Sequence, residues 1–183
     1  MRMHPRKLLV LMFVLFSTVS GQQGHTKTLT VGHFKNEPVE VVSIKLCGAT
    51  VTPGTAFTIG DDWTKDLEIT IKNVSEQPVS YVNVLLYTPA DEGSNQMISN
   101  SDYEFGSRPD FDGPVSLLQP NETAKLVHRF THGNTRHPQP AQILFQQVFW
   151  NNDKWLMWDA GKLMRRVSED EMIYKPVAPS GAR

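Results

Sequence analysis

The sequence predicts an all-β fold, a single antiparallel β-sandwich, on three observations. Leu67-Glu68-Ile69-Thr70-Ile71-Lys72 alternates apolar and polar residues, which puts one set on one face of an extended chain. Further runs rich in β-branched and aromatic residues recur at roughly ten-residue spacing, each bounded by Gly, Pro, Asn or Asp. Helical periodicity is scarce. A length of 183 residues with 39% apolar and 20% charged residues fits one globular domain.

Residues 1–21 read as a secretory signal peptide. Arg2, Arg6 and Lys7 form its positive start, Leu8 to Phe16 its unbroken apolar stretch, and Val19 and Gly21 its small cleavage-site residues. A spanning helix needs roughly 20 apolar residues, so no membrane span is expected after cleavage. The expected compartment is secreted or periplasmic. Removal of the three positive charges changes the formal charge from -1 to -4, with 15 basic against 19 acidic side chains left. That balance, with no Lys/Arg block, argues against a nucleic-acid partner.

Residues 22–38 form an N-terminal segment with an edge strand near Leu29-Thr30-Val31, and residues 39–166 the sandwich. Strands are expected at 39–46, 51–58, 67–72, 79–87, 114–118, 123–131 and 141–150, and in the Lys154–Trp158 run. The 67–72 and 79–87 runs flank a polar turn ending in Pro78, which is a hairpin pattern with a longer loop. Residues 89–113 are expected as a long loop that holds six acids against Arg108, a net of -5. Residues 167–183 form a tail, in which Ser168-Glu169-Asp170-Glu171 fits a capping box and starts at most a turn or two of helix before Pro176.

The run from Asp62 to Ser75, leading into Pro78-Val79-Ser80-Tyr81, with Leu118-Gln119-Pro120-Asn121-Glu122 later, resembles secreted immunoglobulin-like β-sandwich modules of the bacterial FxLYD and CARDB types. The stretch from Phe149 to Arg166 is similar to uncharacterised secreted bacterial proteins of that architecture. The resemblance covers about residues 39–166 and implies an immunoglobulin-like sandwich without catalytic residues or a cofactor.

Candidate binding residues fall in two places. Asp102, Tyr103, Glu104, Asp110 and Asp112 belong to the acidic segment, where a cation site or a binding loop would use carboxylates and adjacent aromatics. Asp110-Phe111-Asp112-Gly113 lacks the regular spacing and the bidentate Glu of a calcium loop. Trp150, Trp155 and Trp158 cluster at the C-terminal hairpin, where exposed rings could stack on a glycan and buried ones would be core. Trp63 is expected in the core. His128, His132 and His137 are the metal candidates; of these, His132 and His137 could meet across Gly133-Asn134. Cys47 is alone. Asn73-Val74-Ser75 and Asn121-Glu122-Thr123 match a glycosylation acceptor and equally a turn. No nucleophile elbow, metalloprotease helix or phosphate loop is present. The expected function is therefore a non-enzymatic binding or structural module with a protein or glycan partner, with metal or glycan binding as the alternative.

Overall fold

Alternation and β-branched content drive more than half of the described residues into strands. The computed structural model describes residues 24–90, 96–111, 114–136 and 139–177. In chain order the strands are β1 (His25–Val31), β2 (Val39–Leu46), β3 (Ala49–Thr50), β4 (Ala56–Ile59), β5 (Leu67–Asn73), β6 (Val79–Pro89), β7 (Met97–Gly106), β8 (Thr123–Lys125), β9 (Val127–Gly133), β10 (Ala141–Trp150), β11 (Leu156–Asp159), β12 (Lys162–Arg166) and β13 (Tyr174–Pro176). A short 3-10 turn, Trp63–Asp66, precedes β5 and buries Trp63.

The strands form two sheets. The larger runs β13-β12-β11-β10-β6-β7-β9, and the smaller runs β3-β2-β5-β8. β1 pairs in parallel with β10 through Leu29–Val31 and antiparallel with β4 through His25–Thr28, which ties the N-terminal segment to the larger sheet. All other pairs are antiparallel. One core cluster joins Ile44, Leu46, Ile69 and Ile71 of the smaller sheet to Val82, Val84, Ile143 and Phe145 of the larger. Each such side chain contributes about 1.5–3 kcal/mol on full burial.

Bulges decide which residues reach that core. In β10 the register against β6 slips between Phe145 and Gln147, so Gln146 is the extra residue. Ala141, Ile143 and Phe145 face inward before it and Val148 after it, which leaves Phe149 on the outer face. In β6 the slip between Tyr81 and Val79 makes Ser80 the extra residue and puts Tyr81 on the outer face beside Phe149. Ser80 closes its own bulge by donating to the Phe149 carbonyl and accepting from the Asn152 amide. In β9 the slip between Asp102 and Tyr103 makes Arg129 the extra residue.

The structure differs from the sequence expectations in six places. The 51–58 run is strand only from Ala56 onward. Residues 97–106, expected within a loop, are β7, hydrogen-bonded to β6 on one side and β9 on the other. The inward residues are Ser99, Ser101 and Tyr103, so the alternation is carried by small hydroxyls rather than aliphatics. The 67–72 and 79–87 runs are not a hairpin: β5 pairs with β2 and β8, and β6 with β10 and β7. Asn73 builds the crossover between sheets; its side-chain amide donates to the Gln77 and Leu118 carbonyls while its Oδ1 accepts from Ser75. Residues 114–118 form no strand beyond a single bridge from Leu118 to Val79. The 123–131 run divides at buried Leu126, with β8 in the smaller sheet and β9 in the larger. The capping box of the tail forms a bend instead of a helix, in which Ser168 Oγ accepts from the Asp170 amide.

Gly106 ends β7 with φ of 70°, and a Cβ there would lie 2.0 Å from the Ser80 carbonyl oxygen. Left-handed backbone and contact with a bulge carbonyl both demand glycine. We expect Gly106→Ala to lower stability by about 2–4 kcal/mol, measured by urea unfolding. An unchanged midpoint would contradict the Ser80 bulge geometry.

Lys27 in β1 is 2% exposed and donates from Nζ to the Gln139 carbonyl at 3.0 Å. Burial pushes its pKa down to about 8 from 10.5. Between those values the unfolded chain binds more protons than the folded one, so stability rises with pH. From pH 7.5 to 9.5 the chain should gain about 1–2 kcal/mol. Lys27→Met should flatten that slope, and an equal slope in the variant would contradict the assignment.

Candidate functional site

The two outward aromatics create a second apolar cluster on the outer face of the larger sheet. Tyr81, Phe149 and Met157 are its buried members, with Met164 and Tyr174 packed against them. Water-exposed, this patch would be costly, and the chain covers it with two of its own segments. One is the stretch after β7, residues 107–111, whose Arg108 lies over Phe149; the other is β12 and β13, which bring Met164 and Tyr174 against the cluster.

Buried charges tie these covers together. Asp110 Oδ1 accepts from Arg166 Nη1 at 2.6 Å, and both side chains are nearly inaccessible, 6% and 7% exposed. Arg108 reaches the other oxygen of Asp110 at 3.5 Å. Arg166 also donates to the carbonyls of Ser168, Glu169 and Glu171, which folds the tail into the bend found there. A guanidinium can satisfy this many acceptors because its five N–H groups point outward in one plane. The Val167 amide donates to the Ile173 carbonyl and closes the loop behind it.

Beside this staple a cavity of 210 Å³ opens, lined by Tyr81, Glu104, Ser107, Arg108, Phe111 and Arg129. Outward alternation on β7 places Glu104 there, and the β9 bulge places Arg129 opposite it. Glu104 Oε1 accepts from the Tyr81 hydroxyl and Oε2 from Arg129 Nε, each at 2.7 Å. Burial, and then the bond to Glu104, push the Tyr81 phenol well above its ordinary pKa, so it stays a donor. Arg108 lies 5.7 Å from the Phe149 ring centre and 5.8 Å from that of Phe111. Its Nε is buried and has no hydrogen-bond partner. Leaving such a donor unpaired costs about 1–3 kcal/mol. Phe111 remains 61% exposed.

A larger cavity of 460 Å³ lies near the end of β1 and the β2–β3 edge, lined by Val31, His33, Val41, Val42 and Val51 among others. Its walls are largely aliphatic, and they hold no convergent set of charged groups that would orient a ligand.

The sequence candidates distribute as follows. Asp102 accepts from the Asn83 side-chain amide at 3.1 Å on the outer face of β7. Tyr103 is fully buried in the main core, and its hydroxyl donates to the Thr64 carbonyl. Glu104 and Asp110 reach the arginine cluster, while Asp112 lies outside the described residues. Trp63 is core. Trp158 is buried and donates to the Lys35 carbonyl, and Trp150 packs on the main core with its indole N–H toward Ser75. Trp155 stands apart, 37% exposed, under the Lys154 ammonium and the Arg166 guanidinium. The three indoles therefore do not form one exposed platform.

His128 turns inward because of the bulge at Arg129. Its Nε2 lies 2.8 Å from Thr131 Oγ1, which also meets the Thr64 and Ser101 hydroxyls. Burial depresses its pKa. His132 packs at a tilt against exposed Phe130, and His137 lies outside the described residues. Among the described residues no three His, Cys, Asp or Glu side chains converge as metal ligands. Cys47 is exposed at the β2–β3 turn with φ of 48°. Arg108, Arg129 and Arg166, which sequence reasoning did not select, carry the site. The available signal was Arg108 as the single base in an acidic segment.

No family model, curated protein or solved structure matches the chain. Among the described residues no helix is long and apolar enough to cross a membrane.

Removal of Asp110 would strand Arg166 in a buried position. We expect Asp110→Ala to cost about 3–5 kcal/mol, against less than about 1 kcal/mol for Lys65→Ala, whose pair with Asp62 is exposed. Equal losses in thermal unfolding would contradict a staple at Asp110.

Proposed function

We propose that this chain is an extracytoplasmic, non-enzymatic β-sandwich module of immunoglobulin-like type that binds a partner through the outer face of its larger sheet. The single observation that carries the reading is the Arg108–Phe111–Arg129 pocket. It combines an exposed aromatic ring, two guanidiniums and a buried N–H without a partner, on a surface where the other acids named above are already engaged. Arginine and aromatic side chains beside a desolvated pocket are the composition of binding hot spots. The outer covers support the same reading, because a staple of buried ion pairs holds the pocket wall rigid and so reduces the ordering cost of binding. The signal-peptide pattern of residues 1–21 supports an extracytoplasmic location.

The test compares the mature chain with a variant carrying Arg129→Gln and Phe111→Ala, both at exposed positions. Each is used to capture partners from the extracytoplasmic fraction of its own source. The expected result is a partner held by the parent chain and reduced at least tenfold in the variant. A partner retained equally by both would refute this face as the binding surface.

A further inference from the structure

The chemistry of the pocket identifies what it takes, on the premise that this face is the binding surface. We infer that it binds a carboxylate carried on a small apolar group, with the carboxylate between Arg108 and Arg129 and the apolar group against Phe111. Two guanidiniums line the cavity against one carboxylate, Glu104, whose two oxygens already accept from Tyr81 and Arg129. The other nearby acid, Asp110, is balanced by Arg166. Asp102, which acts on Tyr81 from the same face, offsets the remaining arginine charge, so the attraction for a carboxylate comes from the two guanidiniums at the cavity wall and not from a net charge.

Donor geometry agrees. Arg108 Nε is closed off from solvent, so an incoming carboxylate would meet the outer Nη groups of the guanidinium, which is held between the Phe111 and Phe149 rings. The Arg129 guanidinium also lines the cavity, held in place by its Nε bond to Glu104. Phe111, beside the Arg108 guanidinium and mostly exposed, supplies a ring face for a hydrocarbon group. A volume of 210 Å³ admits a chain end or a small acid and is below the usual range of about 300–1,000 Å³ for drug-sized ligands. A peptide C-terminus and a free organic acid share this chemistry.

The experiment follows the Arg Nε–H resonances of the full mature chain by NMR while four probes are added: N-acetylphenylalanine, N-acetylphenylalaninamide, 3-phenylpropanoate and inorganic phosphate. The inference predicts saturable movement of the Arg108 Nε–H signal with N-acetylphenylalanine, no saturation with its amide, and weaker binding of phosphate. Comparable binding of 3-phenylpropanoate would support a free acid as the natural source, and its failure would support a peptide end. Arg129→Gln should weaken the acid at least tenfold, and added salt should weaken it further. Equal binding of acid and amide, tighter binding of phosphate, or an unmoved Arg108 signal would overturn the carboxylate assignment. If that assignment fails while capture of a partner still depends on Arg129 and Phe111, the binding face stands and only its ligand class is wrong. Arg108 itself is left unchanged in these variants because its contact with Asp110 helps hold the cover in place.

Discussion

A single extra residue, Gln146, sets the problem that much of this structure solves. It reverses the alternation of β10 so that Val148 completes the inner core and Phe149 faces out. β10 pairs with β6 at the centre of the larger sheet, so the consequence falls on the middle of the molecule. A central strand pair with apolar residues on both faces needs a cover on each. The smaller sheet covers one side. On the other, the chain uses residues 107–111 and its own C-terminal strands.

That second cover explains why charges are buried where they are. Short segments with little apolar surface cannot hold themselves on a sheet by burial alone. Asp110 fixes both at once, with Arg166 from the C-terminal side and Arg108 from its own segment. The same arrangement leaves the buried Arg108 Nε without a partner and brings the Arg108 side chain to the wall of a cavity. The site is thus a by-product of how the outer face is closed, and its walls are as rigid as the staple that closes it.

Much of the fold was legible in residue pattern. β2, β5, β6 and β10 carry the alternating or β-branched runs from which they were read, and Trp63 is in the core as its position suggested. What was hidden has physical causes. β7 buries Ser99, Ser101 and Tyr103, so the inward face has no aliphatic signal; Ser101 is satisfied by Thr131, a residue distant in sequence. The acids of that segment, Asp102 and Glu104, all take the outward positions of one strand, which in sequence resembles a charged loop. Bulges at Ser80, Arg129 and Gln146 change parity without any residue type that announces them. The expected hairpin of β5 and β6 failed because adjacent alternating runs can join different sheets, and the buried Asn73 that makes the crossover reads in sequence as an ordinary turn asparagine. The site was half legible: Glu104 and Asp110 were singled out for their charge, but the arginines that engage them come from β9 and β12, which no local pattern connects to 104 and 110.

The central claim is that the C-terminal strands are an integral cover of the sheet rather than an appendage. Amide hydrogen exchange tests it most directly at Arg166, Val167 and Val177, which donate to the carbonyls of Trp155, Ile173 and Leu163. If the cover is part of the cooperative structure, these amides open with free energies within about 2 kcal/mol of those in β6 and β10. Exchange at nearly unprotected rates, while β6 and β10 stay protected, would contradict the account.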